Sequence, residues 1–139
     1  MKIVQKTFSV SSRSRNQMID ITDEVKSAVD KSGIGEGLVT VYTPHTTAGI
    51  TINENADPDV THDILLTLDA LIPQNRSGYR HGEGNSDAHV KSSLVGCSGQ
   101  SLLQDGRLQL GTWQGIYFCE FDGPRNRKVS VQILGEISK

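Results

Sequence analysis

The chain has four histidines, and three of them stand where loops or element ends can present an imidazole to a ligand. His45 follows Pro44 and precedes Thr46-Thr47-Ala48-Gly49, a polar turn between two strand-like runs. His81 sits in Tyr79-Arg80-His81-Gly82, inside a long polar segment, and His89 opens a short helix in Gly84-Asn85-Ser86-Asp87-Ala88-His89. Neutral imidazole binds borderline divalent metals well, and three such ligands leave a coordination position open for water or substrate. The sharper expectation is a divalent metal, zinc before others, shared by His45, His81 and His89. The blander one is three unrelated, hydrogen-bonded histidines, because their spacing matches no compact motif such as HExxH. His62 falls on the helix side opposite Val60, Ile64 and Leu68 and should face solvent.

Other residues could serve such a site. Glu54, just after a strand, suits a general base or a metal ligand, or has only a structural role. Asp87 suits a supporting role, accepting an N–H from a ligating imidazole. Asn85 and Ser86 lead into the free N–H groups of the short helix, with Lys91 one turn later, an arrangement that suits phosphate. Asp87 would repel that phosphate unless it were paired. Thr46 and Thr47 add hydroxyl donors. The only tryptophan, Trp113, stands between two glycines in Gly111-Thr112-Trp113-Gln114-Gly115. It reads equally as a bulge whose indole packs on the core and as a pocket wall. Arg125-Asn126-Arg127-Lys128 reads as solvated loop charge. No GxSxG elbow supports a serine nucleophile.

The elements that must position these groups are legible in the hydrophobic pattern. Ile3 to Val10 alternates as a strand, and Thr22-Asp23-Glu24 opens a helix whose stripe is Val25, Ala28 and Val29 and whose end is Gly33 to Gly35. There the Thr22 hydroxyl is expected to cap. Leu38 to Tyr42 and Gly49 to Asn53 read as strands. Asp57-Pro58-Asp59 starts a second helix, and Pro73 stops it. The polar segment from Gln74 to Ser86 is long for a compact domain unless it is functional or disordered. A short helix from Ala88 to Val95, capped by Ser86 or Asp87, follows it. Then come a hairpin at Asp105-Gly106 and two strands flanking Asp122 to Lys128. This predicts an α+β fold, mostly antiparallel, with six or seven strands and two or three helices, in a single domain over residues 1–139.

At 139 residues the chain has material for one core, and a hydrophobic share of 35% leaves that core modest enough to suggest shared subunit surfaces. A net charge of −2 with no basic stripe argues against a nucleic-acid partner. No run of about 20 apolar residues argues for a membrane span, and no apolar block marks a signal peptide. The expectation is a cytoplasmic protein whose two cysteines, Cys97 and Cys119, stay reduced, with Cys119 buried.

Pro44-His45-Thr46-Thr47-Ala48-Gly49-Ile50 with Asn53-Glu54-Asn55, the run from Gly84 to Ser92, and Gly111-Thr112-Trp113-Gln114-Gly115-Ile116 together resemble the YjbQ-like (secondary thiamine-phosphate synthase) family. Asp122-Gly123-Pro124-Arg125 and Arg127 continue the likeness, which runs in order over nearly the whole chain. The resemblance implies a single-domain α+β protein that forms homotrimers and has a metal pocket containing histidines. His45 and His89 carry over on the motifs, and His81 through a loop that matches less tightly. It also implies a transferase activity, the joining of an aminopyrimidine methyl diphosphate to a thiazole phosphate with release of diphosphate. Lys91 or Arg125 would then hold phosphate, and Trp113 or Tyr79 would stack on the pyrimidine. Diphosphate departure usually enlists magnesium, which prefers oxygen ligands, whereas imidazoles suit zinc, nickel or iron(II). The alternatives are therefore a metal-dependent hydrolase of a small phosphorylated metabolite, with Glu54 as base, and a non-catalytic trimer whose metal orders the polar loop.

Overall fold

In the computed structural model all 139 residues are described. The elements follow in the order β1 (Lys2–Ser11), β2 (Gln17–Asp20), α1 (Thr22–Ser32), β3 (Ile34–Tyr42), β4 (Ala48–Glu54), α2 (Pro58–Leu71), α3 (Ser86–Val95), β5 (Ser98–Gln104), β6 (Arg107–Leu108), β7 (Gln114–Glu120) and β8 (Asn126–Ile137). They form two antiparallel sheets, one of five strands in the order β1-β8-β3-β5-β6 and one of three in the order β2-β7-β4. The class is α+β, as the pattern predicts. Eight strands form rather than six or seven, two of them short: β2 has four residues, and β6, the second arm of the expected hairpin, has two.

The core fills the space between the sheets. Val39, Val41, Val129, Val131 and Ile133 come from the larger sheet, Ile50, Ile116 and Phe118 from the smaller, and Val25 and Val29 from α1. Helix α1 ends at Gly33, whose φ of 74° is left-handed and free of a Cβ penalty. Its start corrects the sequence reading. The Thr22 hydroxyl does not cap; it donates to Asp20, whose Oδ1 also accepts the Thr22 N–H at 2.9 Å. That hydroxyl in turn accepts the Ile116 N–H at 2.9 Å, which ties α1 to β7. Helix α2 starts as expected, with Asp57 accepting the Asp59 N–H at 2.9 Å and Pro58 in the first turn. None of its residues is fully buried, so it lies on the surface, with Leu66 and Leu71 exposed. Helix α3 begins two residues earlier than predicted. Asn85 holds its N-cap position and makes no side-chain cap bond, so neither Ser86 nor Asp87 caps.

Three connections and the start of a helix meet at one end of the sheets. Residues 43–47 join β3 to β4, residues 121–125 join β7 to β8, residues 12–16 join β1 to β2, and the start of α3 lies beside them. The register Ala48↔Glu120 sets the first two side by side, and Ser11↔Asn126 brings in the third.

Candidate functional site

At that end lies a cleft of about 320 Å³, lined by Pro44, His45, Thr46, Thr47, Glu83, Asn85, His89, Asp122, Arg125 and Arg127. Apart from Pro44 the lining is polar. Two larger hollows elsewhere, the 440 Å³ groove of mixed lysines and acids between α1 and β1 and one of 560 Å³ beside the C-terminal residues, contain no histidine. The residues singled out from distant parts of the sequence, His45, Thr46, Thr47, Asn85, His89 and Arg125, meet here.

The floor of the cleft is a buried ion pair that the sequence reading missed. Arg127 donates through Nε to Glu120 Oε1 at 2.9 Å and through Nη2 to the Thr47 hydroxyl at 2.8 Å. The Ser12 hydroxyl donates to Glu120 Oε1 at 2.7 Å and the Asp122 N–H to Oε2 at 3.0 Å. Burial opposes ionisation of Glu120, yet these donors, Arg127 first, hold its carboxyl below the ordinary range. Arg127 is thus no solvated loop charge. Strand alternation carried the signal, since Arg127 shares its face with the buried Val129, Val131 and Ile133.

His45 is set by the next residue of the same strand: the Lys128 N–H donates to its Nε2 at 2.9 Å. Burial, then the charges of Arg127 and Arg125, pull its pKa below the ordinary histidine value. A neutral imidazole whose Nε2 accepts must carry its proton on Nδ1, so His45 is a hydrogen-bond donor here. Joining a metal would require it to release the Lys128 amide. The imidazoles of His81 and His89 meet edge to face, with ring centroids 5.4 Å apart and nearly perpendicular. Two imidazoles on one tetrahedral ion at N–ion distances of about 2.0–2.1 Å have centroids roughly 5 Å apart. The 5.4 Å separation is close to that spacing, and no group of three His, Cys, Asp or Glu side chains is gathered tightly enough to hold an ion.

Beneath α3 a second ionic cluster engages Asp87 and Lys91, on either side of His89 in the chain. Asp87, fully buried, takes both guanidinium nitrogens of Arg15 at 2.9 Å and the Lys91 ammonium at 3.3 Å. Lys91 also donates to Asp69 at 2.7 Å and to Asn16 at 3.4 Å. Burial pushes against the Asp87 charge, but Arg15 and then Lys91 outweigh it and keep the carboxyl below its usual range. Asp87 thus faces Arg15 and Lys91, and Lys91, at 1% exposure, is enclosed by carboxylates instead of facing a phosphate.

Asn85 donates to Asp122 at 2.8 Å, and its Oδ1 is buried without a partner. Arg125 binds Asp122 through Nη2 at 3.0 Å and the Asp122 carbonyl through Nε at 2.9 Å. Ser86 and His81 do not line this cleft. They line a second one, of about 380 Å³, with Gln74, Asn75, Arg76, Ser77, Tyr79 and Gly84. Glu54 and Trp113 lie at the opposite end of the smaller sheet, where Glu54 pairs with Gln114. Six residue steps along β4 separate that end from Ala48, roughly 20 Å at 3.3–3.4 Å per step. Trp113 is 61% exposed and neither packs on the core nor walls the cleft. His62 faces solvent and Cys119 is buried, both as expected.

A family model described as "UPF0047 protein YjbQ-like" matches residues 6–136. A UPF0047 protein of Methanocaldococcus jannaschii is 54% identical, over 93% of both chains. The UPF0047 protein YugU of Bacillus subtilis is 53% identical, over 94% of this chain and 98% of its own. Among solved structures, a YjbQ/UPF0047-family protein of Clostridium acetobutylicum superposes with a TM-score of 0.91 at 58% identity, over 93% of this chain and 99% of its own. A protein of Sulfolobus solfataricus reaches 0.93 at 35% identity, over 97% and 99%. With this likeness along nearly its full length, the chain belongs to the UPF0047 (YjbQ-like) family.

Proposed function

We propose that this protein is a metal-assisted enzyme acting on a small phosphorylated metabolite, with the joining of aminopyrimidine methyl diphosphate to thiazole phosphate as the reaction to assay first. One observation carries the reading: His45 and His89, from distant parts of the chain, line one polar cleft with Thr46, Thr47, Asn85 and Arg125. The chemistry supplied by a zinc-type ion on His81 and His89 would be Lewis acidity toward a leaving phosphate oxygen. Magnesium suits this lining less, since the only carboxylates on it are Glu83 and Asp122.

The protein's own groups then have distinct tasks. His45 donates from Nδ1 toward a substrate oxygen, and Arg127 fixes the Thr47 side chain. Arg125 and Asn85 lock Asp122 against the floor. A second reading, hydrolysis, gains support from Glu83, a carboxylate on the cleft 3.5 Å from His81 and free to act as base in place of the remote Glu54. The active form we take to be a cytoplasmic homotrimer. Its support is an apolar row of paired neighbours, Ile3, Leu134, Leu38 and Leu102, across four strands of the larger sheet, with Ile3 and Leu102 more than 60% exposed. No helix is long and apolar enough to cross a membrane.

The test is metal analysis of the purified protein, followed by turnover of the two thiamine precursors by the wild type, His45→Ala and His89→Ala. Bound metal and thiamine phosphate formation, both lost in His89→Ala, are expected. Release of inorganic phosphate without condensation would select the hydrolase. Metal-loaded wild type that turns over neither the precursors nor other phosphorylated metabolites sinks the enzymatic reading and leaves a metal-stabilised trimer.

A further inference from the structure

The two clefts share a wall. Glu83, Asn85 and His89 face the histidine cleft, while His81, Gly84 and Ser86 face its neighbour, so residues 81–86 divide the two spaces. The His81 and His89 rings meet edge to face across that divide. Gln74 Nε2, donating to the Gly84 carbonyl at 3.2 Å, ties the far rim of the second cleft to the wall. Each space alone, at about 320 and 380 Å³, is near the lower limit for a small-molecule site.

Charge distinguishes them. In the histidine cleft both arginines are already answered, Arg127 by Glu120 and Arg125 by Asp122, and Glu83 adds another carboxylate. Lys91 and Arg15, nearby, are consumed by Asp87 and Asp69. The neighbouring cleft has no carboxylate in its lining, and Arg76 there is in no ion pair. Ser77, Ser86, Asn75 and the hydroxyl of half-buried Tyr79 surround it with uncommitted donors. Ser86 also opens a ten-residue helix, whose first N–H groups favour an anion. An incoming phosphate would have to displace a carboxylate in the first cleft; in the second it meets a free guanidinium.

We propose that the substrate straddles the wall, with its phosphate monoester held by Arg76 and Ser86 in the second cleft and its reacting end among His45, His89 and Thr46 in the first. Resting on the reading of a phosphorylated metabolite, the proposal assigns the anion-binding role to Arg76 instead of Arg125 or Lys91. It also gives the polar segment after α2 a function, as the far side of a phosphate site.

The test is titration of the full-length, isotope-labelled protein with inorganic phosphate, following the amides of Ser77, Tyr79 and Ser86 separately from those of Thr46, Thr47 and His89. Saturable shifts are expected in the first set. Arg76→Ala should weaken that binding by about tenfold or more, equivalent to about 1.4 kcal/mol. Arg76→Lys should restore part of it, and Arg125→Ala should leave it within about twofold. Arg76 is exposed, so these variants should keep the wild-type melting temperature. Phosphate shifts confined to Thr46, Thr47 and His89, binding indifferent to Arg76, or no saturable shift in the first set would each overturn the proposal. Turnover of phosphorylated metabolites in that event would leave the enzymatic reading standing; phosphate on Arg76 without any turnover would do the reverse.

Discussion

Replacing Asp87 by Asn tests whether the cluster under α3 is a positioning device. The substitution keeps shape but removes the charge that answers both Arg15 and Lys91. Breaking a buried ion pair by removing one partner costs about 3–5 kcal/mol. The low end applies here, because Lys91 keeps Asp69 and the Arg15 side chain is 27% exposed, so solvent takes up part of the loss. About 3 kcal/mol, at about 3 °C per kcal/mol for a domain of this size, lowers Tm by about 9 °C. The pH dependence has a definite sign. The Asp87 carboxyl lies below its usual range in the fold, so its contribution is complete above the unfolded value of about 3.9 and is lost as pH falls through the folded one. Urea unfolding of both proteins between pH 8 and pH 3 is the assay. The stability gap should be flat down to about pH 5 and close in stronger acid. A gap under about 1 kcal/mol at pH 7, or one that widens on acidification, would show that the cluster is not what holds α3.

Three further outcomes follow from the same structure. Lys91→Met should cost less than Asp87→Asn, about 1 kcal/mol, because Asp87 keeps both bonds to Arg15; equal costs in urea unfolding would refute the ordering. Imidazole nitrogen chemical shifts should place the His45 proton on Nδ1 at neutral pH, and its titration midpoint should lie below that of a free histidine; an Nε2–H tautomer contradicts the Lys128 bond. Gly135→Ala should abolish folding, with a loss of about 4 kcal/mol or more read as insoluble expression, since a Cβ there would lie 1.8 Å from the Glu36 carbonyl oxygen where β3 and β8 pair.

Local chemistry determines much of this protein from the sequence alone. Alternation and helix signals are short-range properties, and they locate most strands, the proline-led start of α2 and the glycine at the end of α1. The residues that meet at the histidine cleft were legible too, because they sit in loops rich in small residues, where bland packing reasons are scarce. What stayed hidden was pairing. Whether a charge is free or answered depends on which chain segment folds against it. Arg127 looks like a surface cation until β7 brings Glu120 beside it, and Lys91 resembles a phosphate ligand until Asp69 and Asp87 enclose it. Glu54 and Trp113 are the converse case. Their neighbours in sequence suggest a site, and the length of β4 carries them to the far end of the sheet. Hydrophobic period is a property of one strand or helix, so a sequence displays it; the balance of charge around a cleft is a property of several segments at once, and only the folded chain decides it.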